Sequence, residues 1–353
     1  MTTGKSASLR RGPERAGSLM DQHEVHYAAV VRELTEGSVV PLLGAGVNLC
    51  DRPADVTWTR GADYLPSGQE LAQHLAATFF YPRDEAEAAA TGRGLKRSPP
   101  LPGARLDLLR VSQYIAATDG AGPLYRELRT LFTSDYPPGR VHEFFAALPA
   151  RMRARGTEKY QLIVTTNYDD ALERAFERVG EPYDVVWYIA DPEEQRGKFW
   201  HRPHGGVPQK ITRPNRYDAL SLDQRTVILK IHGAIDRDEA DRDSFVITED
   251  HYIDYLTKTD IEQLLPPTIL ARLRKSCFLF LGYSMADWNL RVILHRIWGE
   301  QPLSYRSWAI REDADEVEQA LWESRKVDVL GLALEDYMTE LEQRLGTPTG
   351  APP

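Results

Sequence analysis

The chain has 353 residues, 42% of them hydrophobic and 27% charged, with a net charge of −9. That balance suits a soluble globular protein of one large or two smaller domains. It argues against broad attraction to nucleic acid or anionic membrane. Two cysteines, Cys50 and Cys277, offer neither a disulfide framework nor metal-ligand spacing, so the default compartment is a reducing cytoplasm. No apolar run approaches the roughly 20 residues that span a bilayer.

Residues 1–20 are small, polar and basic and read as a disordered tail, as do the Gly/Pro/Thr-rich residues 347–353. Residues 21–346 are read as one domain. A helix is expected near His23 to Leu34, then a strand over Ser38 to Leu43 that runs into Gly44-Ala45-Gly46-Val47-Asn48. Glycines after a strand allow a tight turn and close approach to a phosphate. The match to a dinucleotide fingerprint stops at Leu49, where a third glycine would stand. Asp51 to Gly68 follows as a long loop, a feature that is often functional. Ser67 and Glu70 have capping-box spacing before a helical pattern. Residues 83–103 read as a linker. Residues from about 84 to 152, with helical patterns over Leu106 to Phe132 and Val141 to Met152, read as a small helical insert.

Gln161 to Thr165 is a short β-branched run, followed at once by helical spacing through Ala171, Leu172, Ala175 and Phe176. Thr166, Asn167, Asp169 and Asp170 stand at the switch. Asn167 could cap the helix. Val185 to Ile189 is a second strand. Asp191 to Leu222 is polar and aperiodic, either a flap or a poorly ordered insertion. Thr226 to Ile231 is a strong strand ending in His232-Gly233. A strand over Ser244 to Thr248, helices over Glu249 to Leu256 and Ile261 to Arg274, and the most apolar strand, Ser276 to Leu281, come next. That strand ends in Gly282-Tyr283-Ser284, with Asp287 at capping-box spacing from Ser284. Tyr305 to Ile310 is the last expected strand, and two amphipathic helices close the chain. The alternation gives an α/β fold: a Rossmann-like parallel sheet with helices on both faces.

Four strand ends therefore carry polar or glycine signatures, and a parallel sheet gathers them on one edge. Each alone has a plain reading as a turn or cap; four on one edge do not. The set resembles the sirtuin superfamily, and more closely its bacterial sirtuin-like defence branch, over most of residues 30 to 310. Gly44-Ala45-Gly46 is similar to the family's nucleotide loop, and Thr165-Thr166-Asn167-Tyr168-Asp169 to its asparagine motif. Lys230-Ile231-His232-Gly233 is similar to its catalytic His-Gly, and Leu281-Gly282-Tyr283-Ser284 with Asp287 to the branch's distal nucleotide motif.

There are departures. Only Cys277 follows His232, so the four zinc cysteines of deacylating sirtuins are missing. The loop holds Pro66-Ser67-Gly68 and no Pro-Asp-Phe-Arg element, and Asn48 replaces a serine. The resemblance then implies hydrolysis of NAD⁺ to nicotinamide and ADP-ribose, without zinc, as a triggered NAD-depleting effector in anti-phage defence. It implies Asn167, His232 and Asp169 as catalytic residues, with His232 as a base near neutral pH. Gly44, Ala45, Gly46, Thr166, Gly282, Ser284 and Asp287 would bind the nucleotide, the glycine loop through backbone N–H groups. It also implies a homo-oligomer or a separately encoded partner, such as a HerA-type ATPase or another phage sensor, with no membrane and no direct nucleic-acid contact. A protein deacylase, an ADP-ribosyl transferase and a non-enzymatic ADP-ribose sensor are the rival expectations.

Overall fold

A computed structural model describes residues 13–53, 55–82, 106–257, 264–283 and 305–346. The central sheet has nine strands: β1 (Val39–Leu43), β2 (Leu162–Thr165), β3 (Tyr183–Tyr188), β4 (Phe199–Arg202), β5 (Gln209–Ile211), β6 (Thr226–Lys230), β7 (Cys277–Leu281), β8 (Ser307–Ile310) and β9 (Val327–Leu330). Their order is β5-β4-β3-β6-β2-β1-β7-β8-β9. All neighbours are parallel except the β3–β4 and β4–β5 pairs.

The ten described helices are α1 (Pro13–Glu36), α2 (Gly68–Thr78), α3 (Leu108–Thr118), α4 (Ala121–Phe132), α5 (Arg140–Ala154), α6 (Ala171–Val179), α7 (Glu249–Thr257), α8 (Pro267–Lys275), α9 (Glu316–Glu323) and α10 (Leu334–Leu345). They cover both faces. Val40, Leu42, Val164, Leu229 and Phe280 pack to one side with Ile269 and Leu273 of α8. Val39, Leu43, Ile163, Ile228 and Leu279 pack to the other, under α1, α5, α6 and α10. Burial on both faces is why these strands read as unbroken apolar runs. A third cluster joins α2, α3 and α4 through Leu75, Ile115 and Leu128 to Tyr168, Ile235 and Phe245. The helical lobe thus includes α2, while α5 lies on the sheet.

Several expectations need correction. Helix α1 begins at Pro13, inside the stretch assigned to a tail. The polar stretch after β3 forms an antiparallel extension, β4 and β5, that lengthens the sheet. Ser244 to Thr248 is buried but forms no strand; it lies against the turn after β6 through two backbone bonds, Ser244 N–H to Ala234 O at 2.9 Å and Val246 N–H to His232 O at 2.8 Å. Strand β9 was not foreseen. The expected linker at 83–103, Ser284 and Asp287 lie outside the described residues.

Candidate functional site

The register builds the site. Leu43 pairs with both Thr165 and Leu281, and Thr165 pairs with Lys230. The residues that follow, Gly44, Thr166-Asn167, Ile231-His232 and Gly282, therefore leave the sheet along one edge. From β1 the chain runs first toward β2 and β6, then returns to add β7 on the other side. That reversal is the place where open α/β sheets leave a ligand crevice.

Three glycines close the two central strand ends against each other. Gly44 N–H donates to Leu281 O at 3.0 Å, and Gly46 N–H to Gly282 O at 2.8 Å. A Cβ on Gly44 or on Gly46 would stand 2.6 Å from Gly282 O. Gly282 has φ +61°, and a Cβ there would lie 2.1 Å from Val47 N. Glycine is required here by backbone contact and, at Gly282, by the left-handed conformation. This alters the expected role: the N–H groups of Gly44 and Gly46 are spent on β7 and its turn. Ala45, half-buried, is the one of the three whose N–H is not tied to that strand end.

The end of β2 is held by its own hydroxyl. Thr165 Oγ1 donates to Leu43 O at 2.9 Å and accepts from Asn167 N–H at 3.0 Å. Thr166 N–H donates to the same Leu43 carbonyl at 3.3 Å. Asn167 Nδ2 then donates to Gly44 O at 3.3 Å. Asn167 is therefore not the helix cap: its side chain reaches across to the glycine turn, and its Oδ1 makes no hydrogen bond within the described protein. The N-cap position is Asp170, which makes no side-chain cap bond, and Asp169 just before it accepts from Ala171 N–H through Oδ1 at 3.1 Å. A carboxylate suits the positive end of α6. The neighbouring Asp170 is used by Arg237, with Nη2 to Oδ1 at 2.9 Å.

His232 is 3% exposed. Its Nδ1 faces Tyr252 Oη at 3.3 Å, the two rings edge to face, while its buried Nε2 has no partner among the described residues. Burial pushes the imidazole down to about 3. Burial thus favours the neutral imidazole. Either Tyr252 donates to Nδ1 and Nε2 offers a proton, or Nδ1 donates and Nε2 accepts. Gly233 has φ +91°, and a Cβ on it would meet Ser244 O at 2.1 Å, so the turn presses against the 244–246 strap. Tyr168 Oη donates to Val246 O at 2.8 Å, which ties that strap to the β2 end.

Sequence reasoning missed Tyr252 and His142, and named Lys230 and Asn48 without their contacts. Lys230, 1% exposed, donates to the Asp169 carbonyl and, at 2.7 Å, to Glu173 Oε1 of α6. It joins the β6 end to the Asp169 turn. His142 of α5 is buried, its Nδ1 accepting from Gly139 N–H at 3.1 Å. Burial lowers its pKa, and the charge of Asp169 opposes that shift. His142 lines a cavity of about 360 Å³ with Asn48, Tyr64 and Leu65. Asn48 Oδ1 is buried and has no partner among the described residues. The long loop after the glycine turn therefore walls a cavity beside the Asp169 turn. The signal for it was the loop length itself.

Among the described residues no three His, Cys, Asp or Glu side chains stand close enough to hold a metal ion. Among them, too, no helix is long and apolar enough to cross a membrane.

Residues 161–330 match the SIR2-like domain family. The chain is 29% identical over 209 residues to the NAD(+) hydrolase ThsA of Enterococcus faecium, covering 59% of this chain and 33% of that protein. It is 23% identical over 214 residues to Defense-associated sirtuin 2 of Bacillus subtilis, covering 60% of this chain and 17% of that protein. The matched segments thus span a third or less of these relatives. Residues 161–330 are thus similar to a SIR2-like domain, and these two relatives are named for NAD⁺ hydrolysis and for defence.

Proposed function

We propose that this chain hydrolyses NAD⁺ to nicotinamide and ADP-ribose, as a triggered NAD-depleting effector of anti-phage defence. The observation that carries the reading is the meeting, at the sheet's switch point, of Asn167 bridged to the glycine turn and a neutral His232 with an unpartnered Nε2. The two curated relatives support it by their names.

In the reaction the bond from ribose C1′ to the nicotinamide nitrogen breaks with both electrons going to nicotinamide. Water adds to C1′ and loses a proton. The transition state is oxocarbenium-like, as in glycoside cleavage. Nicotinamide leaves neutral, so no strong acid is needed. Positioning and exclusion of bulk water carry most of the catalysis. Asn167 Oδ1 accepts from the attacking water or a ribose hydroxyl. His232 Nε2 hydrogen-bonds the ribose. A neutral imidazole held near 3 in the free protein is a poor base there, so its first role is orientation, and a proton reaches it only as charge develops in the transition state. Asp169, fixed by Ala171 N–H and by Lys230 on its carbonyl, holds the nicotinamide side. Gly44, Gly46 and Gly282 shape the turn on which the pyrophosphate would rest, with Ala45 N–H as donor, while Thr166, Ser284 and Asp287 complete nucleotide binding.

The same reading assigns the trigger to a homo-oligomeric contact or to a separately encoded partner. Incubating the protein with NAD⁺ alone tests it. Nicotinamide and ADP-ribose in equal amounts support hydrolysis; release that requires an acylated peptide or a protein acceptor points instead to a deacylase or transferase.

A further inference from the structure

A second cavity, of about 410 Å³, opens between α6, β3, β4 and the loop after β6. It shares no lining residue with the cavity beside Asn48, and neither Asn167 nor His232 lines it. Its size is that of a small-molecule site. Most of its charges are already matched: Asp170 with Arg237, and Asp135 with Arg174.

Two groups are not fully matched. The Glu173 side chain is 6% exposed. Its Oε1 receives Lys230, but its buried Oε2 has no partner among the described residues. A desolvated carboxylate oxygen with an open acceptor site is costly unless something donates to it. Burial also pushes the Glu173 carboxyl above its ordinary range. The second group is Arg202 of β4. Among the described residues its side chain makes no hydrogen bond and no ion pair, although the charges of Glu173, Asp236 and Glu177 reach it. At the mouth, Glu177 and Asp238 are exposed carboxylates.

The arrangement asks for three things of one ligand: an anionic end for Arg202, a donor for Glu173 Oε2 and a cationic end for the mouth. A highly charged anion such as a nucleotide is repelled by the surrounding carboxylates. A simple amine leaves Arg202 unmatched. We propose that this cavity binds a free basic α-amino acid of the arginine or lysine type. Its carboxylate lies on Arg202, its α-ammonium on Glu173 Oε2, and its side chain runs toward Glu177 and Asp238. Through Lys230, which holds both Glu173 and the Asp169 carbonyl, the ligand sits one ion pair away from the Asp169 turn.

Titration calorimetry on the full chain, without NAD⁺, tests this. The probes are L-arginine, L-lysine, agmatine, which lacks the carboxylate, and N-acetyl-L-arginine, which lacks the ammonium. The proposal predicts saturable one-to-one binding of L-arginine or L-lysine, and binding at least about tenfold weaker for agmatine and N-acetyl-L-arginine. Arg202→Gln, checked for folding by circular dichroism, weakens L-arginine by at least about tenfold. Asp238→Asn, on the exposed mouth, is a second measure and weakens it by about two- to fivefold. His232→Ala leaves binding unchanged, so failure here is separate from failure of the NAD⁺ reading. No saturable binding, agmatine equal to L-arginine, or a folded Arg202→Gln that binds as wild type overturns the proposal.

Discussion

Replacing Lys230 by Met gives a quantitative test of how the β6 end is held. The ammonium is 1% exposed and sits 2.7 Å from Glu173 Oε1, whose side chain is 6% exposed. The variant leaves Glu173 buried with no cation and the Asp169 carbonyl with no donor. Breaking a buried pair by removing one partner costs about 3–5 kcal/mol. Removing both charges, in Lys230→Met/Glu173→Leu, recovers most of that and leaves about 1 kcal/mol for the Asp169 carbonyl. Urea unfolding at pH 7 reads both values. The single variant also has a defined pH dependence. Its folded-state Glu173 pKa lies above the ordinary 4.5, since burial raises it even beside Lys230. The folded form then binds more protons than the unfolded form above pH 4.5, so stability falls as pH rises through the folded pKa and recovers toward pH 4.5. A single variant that loses under about 1 kcal/mol, or a double variant no more stable than the single, refutes the argument.

Further outcomes follow from the same geometry. Gly282→Ala forces a Cβ against Val47 N at φ +61°; it costs about 1–3 kcal/mol by thermal unfolding and lowers NAD⁺ turnover by disturbing the glycine turn. Tyr252→Phe removes the hydroxyl 3.3 Å from His232 Nδ1; it costs about 0.5–1.5 kcal/mol and shifts the imidazole resonances seen by NMR. His232 is held from its ordinary 6.5 down to about 3 by burial. The unfolded chain therefore binds the extra proton, and stability is lost as pH falls from 6.5 toward 3. His232→Asn flattens that part of the stability profile, and an unchanged slope contradicts the assignment.

The four site strands were legible because both faces of the sheet are buried. Every position of Val39–Leu43, Leu162–Thr165, Thr226–Lys230 and Cys277–Leu281 is buried, and nearly all of them carry apolar side chains. The edge extension was not. In β4 only Phe199 and His201 are buried, and β5 has three residues with one buried, so neither makes a run long enough to read. Strand β9 is four residues between two helices, with Asp328 in its middle. Ser244 to Thr248 has a strand's composition, but its backbone meets the β6 turn rather than a ladder. At the site, Asn167 and His232 were legible as polar residues at strand ends. Their environment was not: Glu173 meets Lys230 across 57 positions, and Tyr252 meets His232 across 20. Proximity of that kind is set by topology and leaves no local pattern.

The measurement that bears most directly on the account is NAD⁺ turnover by the purified chain, alone and with its genomic neighbour, for the wild type, Asn167→Ala and His232→Ala. The account predicts equal release of nicotinamide and ADP-ribose by the wild type without any acyl substrate. It predicts a loss of at least about 100-fold in each variant, with the fold intact. A correctly folded Asn167→Ala or His232→Ala chain that turns over NAD⁺ as the wild type does, or a wild type that releases nothing in either setting, contradicts it.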